Sequence, residues 1–508
     1  MDNIDDHKRT SLKILFLAAE AAPFVKVGGL GDVAGSLPPA LLALSNSNNN
    51  REIEIDVRLA IPFHGAIQPR DYPIHSAANF SIPYRGDKVS TEVFTMELDG
   101  LPIYFISGPF IPPHAPVYSS NSLADGLKYT YFSLAALEMA RSLKWQPDII
   151  HANDWHTAPS VYKVSLTRTK DDFFADSATL LGVHNLPYLG DGAGPALNAF
   201  GLRPALGSSL PWWSQDMPLP LGLLSADHIV AVSPTYAKEI LSPEFGVGLD
   251  GFLRSRADSI SGILNGIDTS KWNPETDDHL EARYSSKNLD LRTKNKLRLQ
   301  REFDLEEDTQ SPLLAMVTRL DYQKGVDLVI EAVRQLLITP GYTSKLWQLI
   351  ILGTGDPTLE EAVGALVENI PSRLRAVIRF DAALSHRIYA GADMLLIPSR
   401  YEPCGLTQMI AMRYGCVPIA RSTGGLRDTI KDYGSSRNST GFLFDESNPE
   451  ALSEAIGRAM RIYEDRESWV KIQQRGMGQD FSWIRSARQY LNLYLSLVEK
   501  LAFKSQGM

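Results

Sequence analysis

Arg319-Leu-Asp-Tyr-Gln-Lys324-Gly325 brings two cations onto one short turn. The turn follows an apolar run, residues 313–318, that reads as a buried strand, and precedes a helical pattern opening near Gly325. Arginine offers a planar fork of donors, lysine a point charge, and a helix start unpaired amides, so together they suit a diphosphate. A second constellation, Ser399-Arg-Tyr-Glu402-Pro-Cys-Gly-Leu-Thr-Gln408, follows the apolar run 393–398. Glu402 thus sits on a strand-to-helix turn, where a doubly wound sheet binds ligands and where a carboxylate can meet hydroxyl groups. The simpler alternative is that Glu402 only caps its helix.

Three other patterns invite different chemistry. Gly29-Leu-Gly31-Asp-Val-Ala34 matches the dinucleotide fingerprint, but about nine residues separate the preceding strand from Gly29, and the fingerprint needs a tight turn. His151, Asp154 and His156 are metal-type residues, yet His151 falls inside a strand and no partner cluster accompanies them. His156 reads better as a hydrogen-bonding group at a strand end. Glu20 and Glu402 could form a glycosidase pair, which would leave the phosphate-type turn unexplained. Gly353-Thr-Gly355-Asp356 is one more turn where backbone can approach a ligand closely.

The elements that must position these groups alternate between strand and helix. Strands are expected at 13–19, 53–61, 92–96, 102–107, 148–152, 179–184 and 228–232, with helices from the Lys26–Asp32 turn to about Leu44 and over 127–142. The Ser/Asn run at 45–50 reads as a solvated loop. Turn-rich residues 264–274 mark a crossing point, after which strands at 313–318, 347–352, 393–397 and 416–420 restart the pattern. Helix 325–337 carries one apolar face of Val326, Val329, Ile330, Val333 and Leu336. Helices at 450–464 and 483–501 close the chain. Gly28-Gly-Leu-Gly-Asp32 and Gly424-Gly-Leu-Arg-Asp428 echo one another as helix-opening turns. The expectation is an α/β protein of two similar doubly wound domains.

A chain of 508 residues is too long for one core, and 44% hydrophobic and 21% charged residues describe a globular protein. A net charge of −9 argues against a general nucleic-acid or membrane-surface binder. Two cysteines, Cys404 and Cys416, make no disulfide framework, which fits a reducing compartment. The acidic N-terminus has no signal-like apolar core, and no run approaches a membrane span. A cytoplasmic protein is expected, with no nucleic-acid and no membrane partner.

Lys26-Val-Gly-Gly-Leu30, Asp154-Trp-His156, His184-Asn-Leu186, Val232-Ser-Pro-Thr-Tyr236, Leu264-Asn-Gly266, Arg319 with Lys324-Gly325, Ser385-His-Arg387 and Glu402–Gln408 occur in the order seen in a known family. Over about residues 13–490 the chain resembles the bacterial glycogen synthases and plant starch synthases. The resemblance implies the GT-B fold: two Rossmann-like domains facing a central cleft, with a C-terminal helix returning to the N-terminal domain. The boundaries implied are 1–263 for the N-terminal, acceptor-side domain, 264–480 for the donor nucleotide-sugar domain and 481–508 for the returning helix. It also implies transfer of glucose from ADP-glucose to the non-reducing end of an α-1,4-glucan, with retention of configuration and without metal or cofactor.

By the same resemblance, Arg319 and Lys324 hold the diphosphate and meet the charge that grows as the glucosyl bond breaks. Lys26 reaches the same phosphates with the Gly28 and Gly29 amides. Glu402 binds sugar hydroxyls, the backbone of Cys404, Gly405, Leu406 and Thr407 holds the glucose, and His156 hydrogen-bonds the donor sugar. Thr423, Gly424 and Gly425 line the donor site, and the Phe380 ring stacks on the base where the family usually has Tyr. A larger departure lies between His184 and Ser233. Trp212-Trp-Ser-Gln-Asp-Met-Pro-Leu-Pro-Leu-Gly222 stands where the family carries Gly-x-x-x-Phe-Leu-Lys-Ala-Gly, and this bears on the acceptor. Two rivals stand beside this reading. One is a GT-B enzyme using UDP-glucose or another acceptor, and the other is a non-catalytic glucan-binding protein.

Overall fold

The computed structural model describes residues 11–45, 53–338 and 346–506; most of the Ser/Asn run expected as a loop at 45–50 lies outside them. The chain divides into two compact units. Unit 1 comprises residues 1–232, 237–266 and 483–508, and unit 2 comprises 233–236 and 267–482.

Unit 1 holds strands β1 (Ser11–Leu17), β2 (Glu54–Pro62), β3 (His75–Tyr84), β4 (Asp87–Leu98), β5 (Leu101–Ser107), β6 (Ile149–Asn153), β7 (Ala178–Val183), β8 (His228–Ala231) and β9 (Ile260–Gly262). They lie in the order β3-β4-β5-β2-β1-β6-β7-β8-β9. The sheet is parallel from β5 through β9, and β3-β4-β5 form an antiparallel edge. Two hairpins build that edge. Arg85 and Gly86 (φ 51° and 84°) and Asp99 and Gly100 (φ 51° and 82°) are two-residue turns with positive φ at both positions, which match strand twist.

β3 is the longest of four strands absent from the expected set, the others being β9, Leu374–Ile378 and Phe442–Phe444. Its residues are exposed or half-exposed except Ile82 and include Pro83, so no continuous apolar run announces it. The central strands are the reverse case: β1, β6 and β7 are apolar and almost wholly buried.

The terminal helix, Trp483–Gln506, belongs to unit 1. Trp483, Ala487, Tyr490, Tyr494 and Leu497 bury into the same core as Phe16, Leu37 and Leu59. Burying one such large apolar side chain stabilises the fold by about 2 kcal/mol. The Tyr494 hydroxyl cannot be left unpaired there, and it meets His151 Nδ1 at 2.8 Å.

Unit 2 is a six-stranded sheet, parallel throughout, made of β10 (Leu313–Val317), β11 (Gln348–Gly353), β12 (Leu374–Ile378), β13 (Met394–Ile397), β14 (Val417–Arg421) and β15 (Phe442–Phe444). Its order, β12-β11-β10-β13-β14-β15, reverses direction between β10 and β13. Ligand sites of open α/β sheets form at such switch points. Helix Val326–Ile338 turns the expected face inward, with Val326, Val329, Ile330, Val333 and Leu336 all buried against β10 and β11 residues. Both units are α/β with parallel sheets.

Candidate active site

The carboxyl ends of β10 and β13 are adjacent, and they bring the two constellations of unit 2 together. Lys324 Nζ donates to Glu402 Oε2 at 2.6 Å, and Ser399 Oγ donates to the same oxygen at 2.9 Å. Glu402 is only 7% exposed. A carboxylate this buried needs a partner, and removing the lysine would leave its charge uncompensated. The turn itself is stiffened by Asp321, which accepts from Lys324 N at 3.0 Å. Arg319 lies beside it, ion-paired to Asp321 at 3.1 Å and donating to Gln323 Oε1 at 3.3 Å, with 62% of its side chain exposed. A buried pair next to an open guanidinium leaves a cation facing solvent over a fixed charge pattern. This can receive an anion.

The capping alternative for Glu402 fails on geometry. The next helix is Thr407–Arg413, with Leu406 as its cap residue, and the Glu402 carboxylate points to Lys324 and Ser399 instead.

Neighbouring strand ends are tied by residues that sequence reasoning did not single out. Arg400 Nη2 reaches Asp327 Oδ2 at 2.6 Å while its guanidinium lies 3.5 Å above the Tyr322 ring. Its backbone N–H donates to Gln323 O at 2.8 Å. Two glycines permit this closeness. A Cβ on Gly325 (φ +69°) would lie 2.3 Å from Pro398 O, and one on Gly424 (φ +45°) would lie 2.0 Å from Glu402 O. Thr423 and the Gly424–Gly425 helix start are therefore held directly against the Glu402 turn. Within that turn, Gln408 Nε2 donates to Cys404 O at 3.0 Å and to Gly405 O at 2.9 Å. Cys404 and Cys416 are buried thiols, and burial pushes that of Cys416 up to about 12. Phe380 stands apart at the end of β12, 85% exposed.

In unit 1 the strand-end chemistry is of another kind. Asp154 takes a left-handed conformation (φ 54°) where β6 turns into helix Asp154–Thr167, and its Oδ1 accepts from His184 N at 2.7 Å. Asn153 Oδ1 in turn meets His184 Nε2 at 2.8 Å. A non-glycine residue held in this region is a strained position of the kind that clusters at functional sites. His156 follows in the first turn of the helix. Its ring lies 4.2 Å from Trp155, 4.6 Å from Tyr129 and 5.0 Å from Tyr118. Burial first, then the charges of Lys128, His64 and His184, hold its pKa far below the usual histidine value. It is a neutral imidazole whose Nδ1 has no hydrogen-bond partner among the described residues.

The loop after β1 departs from expectation in one respect. Glu20, fully buried, accepts from Val27 N and from Gly28 N, the latter at 3.0 Å. The Gly28 amide is thus engaged by the protein's own carboxylate, a correction to the reading that leaves it open to a phosphate. A Cβ on Gly29 would meet nothing within 4 Å, so that side of the loop is open. Lys26 Nζ, with 45% of its side chain exposed, pairs with Asp32 at 2.7 Å. The echo between the two Gly-Gly-Leu-x-Asp turns extends to structure. Both open helices, and Asp428 likewise accepts from Thr235 N at 2.8 Å and Thr235 Oγ1 at 2.7 Å. Among the described residues no group of three or more His, Cys, Asp or Glu side chains could hold a metal ion, and His151 is buried in β6 with its Nδ1 on Tyr494.

Comparison with known proteins decides what this arrangement belongs to. The profile of the starch synthase catalytic domain matches residues 13–255, and that of glycosyl transferases group 1 matches residues 298–475. The glycogen synthase of Anaeromyxobacter sp. (strain Fw109-5) is 40% identical over 502 residues, covering 96% of this chain and 99% of that protein. The glycogen synthase of Thioalkalivibrio sulfidiphilus (strain HL-EbGR7) is 38% identical, covering 96% of this chain and all of its own. The catalytic domain of starch synthase IV from Arabidopsis thaliana, solved with ADP and acarbose bound, superposes with a TM-score of 0.83 at 33% identity, covering 96% of this chain and 100% of that one.

The chain belongs to the glycogen and starch synthase family. It is a retaining glycosyltransferase of the GT-B fold, and the family expectation drawn from its motifs holds.

The segment 212–222, where a departure from the family's usual sequence is expected, holds two short elements. Residues Trp212–Ser214 form a 3-10 turn and Pro218–Ser225 a short helix. The two tryptophans part company there: Trp212 is 85% exposed, while Trp213 is half-buried. Among the described residues no helix is long and apolar enough to cross a membrane.

Proposed function

We propose that the protein extends an α-1,4-glucan at its non-reducing end, using ADP-glucose as donor. The observation that carries this reading is the buried Lys324–Glu402 pair with exposed Arg319 beside it, on the strand ends of a glycogen and starch synthase family member. Arg319 and Lys324 would neutralise the diphosphate, and their attraction strengthens as negative charge builds on the departing phosphate. Glu402, already fixed by Lys324 and Ser399, would accept from sugar hydroxyls, with the backbone of Cys404, Gly405, Leu406 and Thr407 completing the glucose pocket. Thr423, Gly424 and Gly425 would line the donor, and Phe380 would stack on the base.

In unit 1, Lys26 and the Gly29 amide are proposed for the phosphates and the neutral His156 for the donor sugar. A neutral imidazole suits that task, because it exchanges a hydrogen bond with a hydroxyl without adding a charge beside a developing oxocarbenium ion. The leaving phosphate takes the acceptor's proton on the same face of the sugar, so no side-chain nucleophile and no metal are assigned. The proposed setting is the cytoplasm. Incorporation of radiolabel into glycogen from ADP-glucose and from UDP-glucose tests the reading. Incorporation from ADP-glucose is expected. Preference for UDP-glucose would replace the donor, and binding of glycogen without incorporation would make this a glucan-binding protein.

A further inference from the structure

Trp212 is a large apolar side chain left almost wholly in water, and unit 1 makes no use of it. Its loop is ordered by its own bonds. Ala205 N donates to Gln215 O at 2.9 Å, Ser214 N to Pro211 O at 3.0 Å, and Gln215 Nε2 to Leu210 O at 3.1 Å. Trp213 turns the other way, under Gly248, where an added Cβ would lie 3.1 Å from its ring. Trp213 therefore anchors the loop and Trp212 is presented by it. Leu206, on the same loop, is 81% exposed. Exposed apolar groups held in a fixed geometry point to a binding surface.

Two observations favour one occupant. Residues 204–215, Pro-Ala-Leu-Gly-Ser-Ser-Leu-Pro-Trp-Trp-Ser-Gln, contain no charged side chain in a protein of which 21% is charged. Exposed Arg203 and Asp216 bound the stretch, one of each sign, and the residues between them offer a neutral polyhydroxyl chain an aromatic face and the hydroxyls of Ser208 and Ser209. The loop is also continuous with the His156 region of unit 1. Leu219 N donates to Leu189 O at 3.1 Å, and a Cβ on Gly190 would lie 2.8 Å from Pro218 and 2.9 Å from the Trp155 ring, which itself touches His156.

We propose that Trp212 is a glucan-holding platform, on which a glucosyl ring of the acceptor chain stacks at a distance from the reacting end. This deepens the acceptor assignment above and rests on it. The sugar's apolar face covers the indole, and Leu206 and the serines flank it. One stacked ring is worth about a five- to tenfold change in affinity.

The test uses the full chain and its Trp212→Ala and Trp212→Phe variants, with glycogen as the probe. Trp212→Ala is expected to raise the apparent KM for glycogen about fivefold and to weaken retardation in glycogen-containing native gels, with KM for ADP-glucose and melting temperature unchanged. Trp212→Phe is expected to restore most of both. Unchanged glycogen KM and retardation in Trp212→Ala would overturn the proposal. So would a variant that changes only the sedimentation coefficient, since the surface would then join copies of the chain. Wild-type protein that transfers no glucose while Trp212 still governs retardation would instead sink the transfer reading and leave the platform standing.

Discussion

At the end of β6, unit 1 presents His156 among Tyr118, Tyr129 and Trp155, dehydrated and neutral. At the ends of β10 and β13, unit 2 presents Lys324 against Glu402, with Arg319 open to water. The two units share a parallel α/β build and even a helix-opening Gly-Gly-Leu-x-Asp turn, yet one strand-end site is built from burial and the other from charge. Architecture therefore fixes where a site forms, and a few side chains decide what it can hold. The proposed roles follow that difference: the charged strand ends of unit 2 for the diphosphate, and the neutral pocket around His156 in unit 1 for sugar hydroxyls.

The charged site should break hardest. Lys324→Ala is expected to lower kcat about a hundredfold or more, because the lysine meets charge that peaks in the transition state. The same change orphans the Glu402 carboxylate, so the melting temperature should fall too. Lys324→Ala combined with Glu402→Gln should recover much of that stability and none of the activity. A single variant with near-wild-type turnover would remove the phosphate role from Lys324. Glu402→Gln alone should cost about ten- to a hundredfold in kcat. It should leave the fold intact, since the amide oxygen can still accept from Lys324 and Ser399. Thermal melting and steady-state kinetics on the same samples separate the two effects.

Much of unit 2 was legible because β10, β11, β13 and β14 are short apolar runs buried on both faces, with polar turns after them. Arg319, Lys324 and Glu402 could be picked out one by one. That Lys324 grips Glu402, across 78 positions of sequence, could not, because only the strand order places β10 beside β13. The Arg400–Asp327 brace, across 73 positions, is hidden for the same reason, whereas Ser399 and Asp321 act three residues from their partners and look in sequence like ordinary polar turn residues. In unit 1 the Asp99-Gly100 turn is a hairpin signal that can be read directly, whereas β3 is not. Glu20 engaging the Gly28 amide depends on the path of a long loop, and spacing alone carries no trace of it.

Acid should expose the other half of the comparison. Burial holds His64 down to about 4 and His151 down to about 3, and His156 and His184 are lowered by the same cause. In the unfolded chain these rings titrate near their usual value of about 6.5. Below that pH the unfolded state binds protons that the folded state refuses, so stability is full above about 6.5 and declines as pH falls towards 4. At pH 5, His64 alone should cost unit 1 about 2 kcal/mol. Asp154, whose carboxyl is pushed up by burial, acts in the opposite sense, one group against these four and His228, which burial also holds down to about 4. In unit 2, Arg400 beside Asp327 helps hold that carboxyl below its usual range, against burial, so its loss belongs to stronger acid. Hydrogen exchange at pH 7 and pH 5 should therefore show peptides of β1, β6 and β7 losing protection before those of β10 and β13. Equal loss in both units would mean that the buried histidines do not set the acid limit.

The smallest expected effect belongs to Phe380, where unit 2 departs from its own charged character. The ring projects from a turn fixed on both sides: Asp381 caps helix Ala382–Gly391 by accepting from Leu384 N at 2.9 Å, and Arg379 pairs with Asp381 at 2.8 Å. At 85% exposed it contributes little to the core, so Phe380→Ala should leave the melting temperature within about a degree, as for other surface changes. If it stacks on the donor's base, the KM for ADP-glucose should rise about three- to tenfold while kcat and the glycogen KM stay put. Phe380→Tyr should keep the stacking and add a hydroxyl able to bond the base, so its KM should be equal or lower. The two variants moving in opposite directions would identify the ring as a donor contact with no part in the chemistry. Alanine leaving the ADP-glucose KM untouched would return Phe380 to the ordinary exposed surface and leave base recognition to other turns of unit 2.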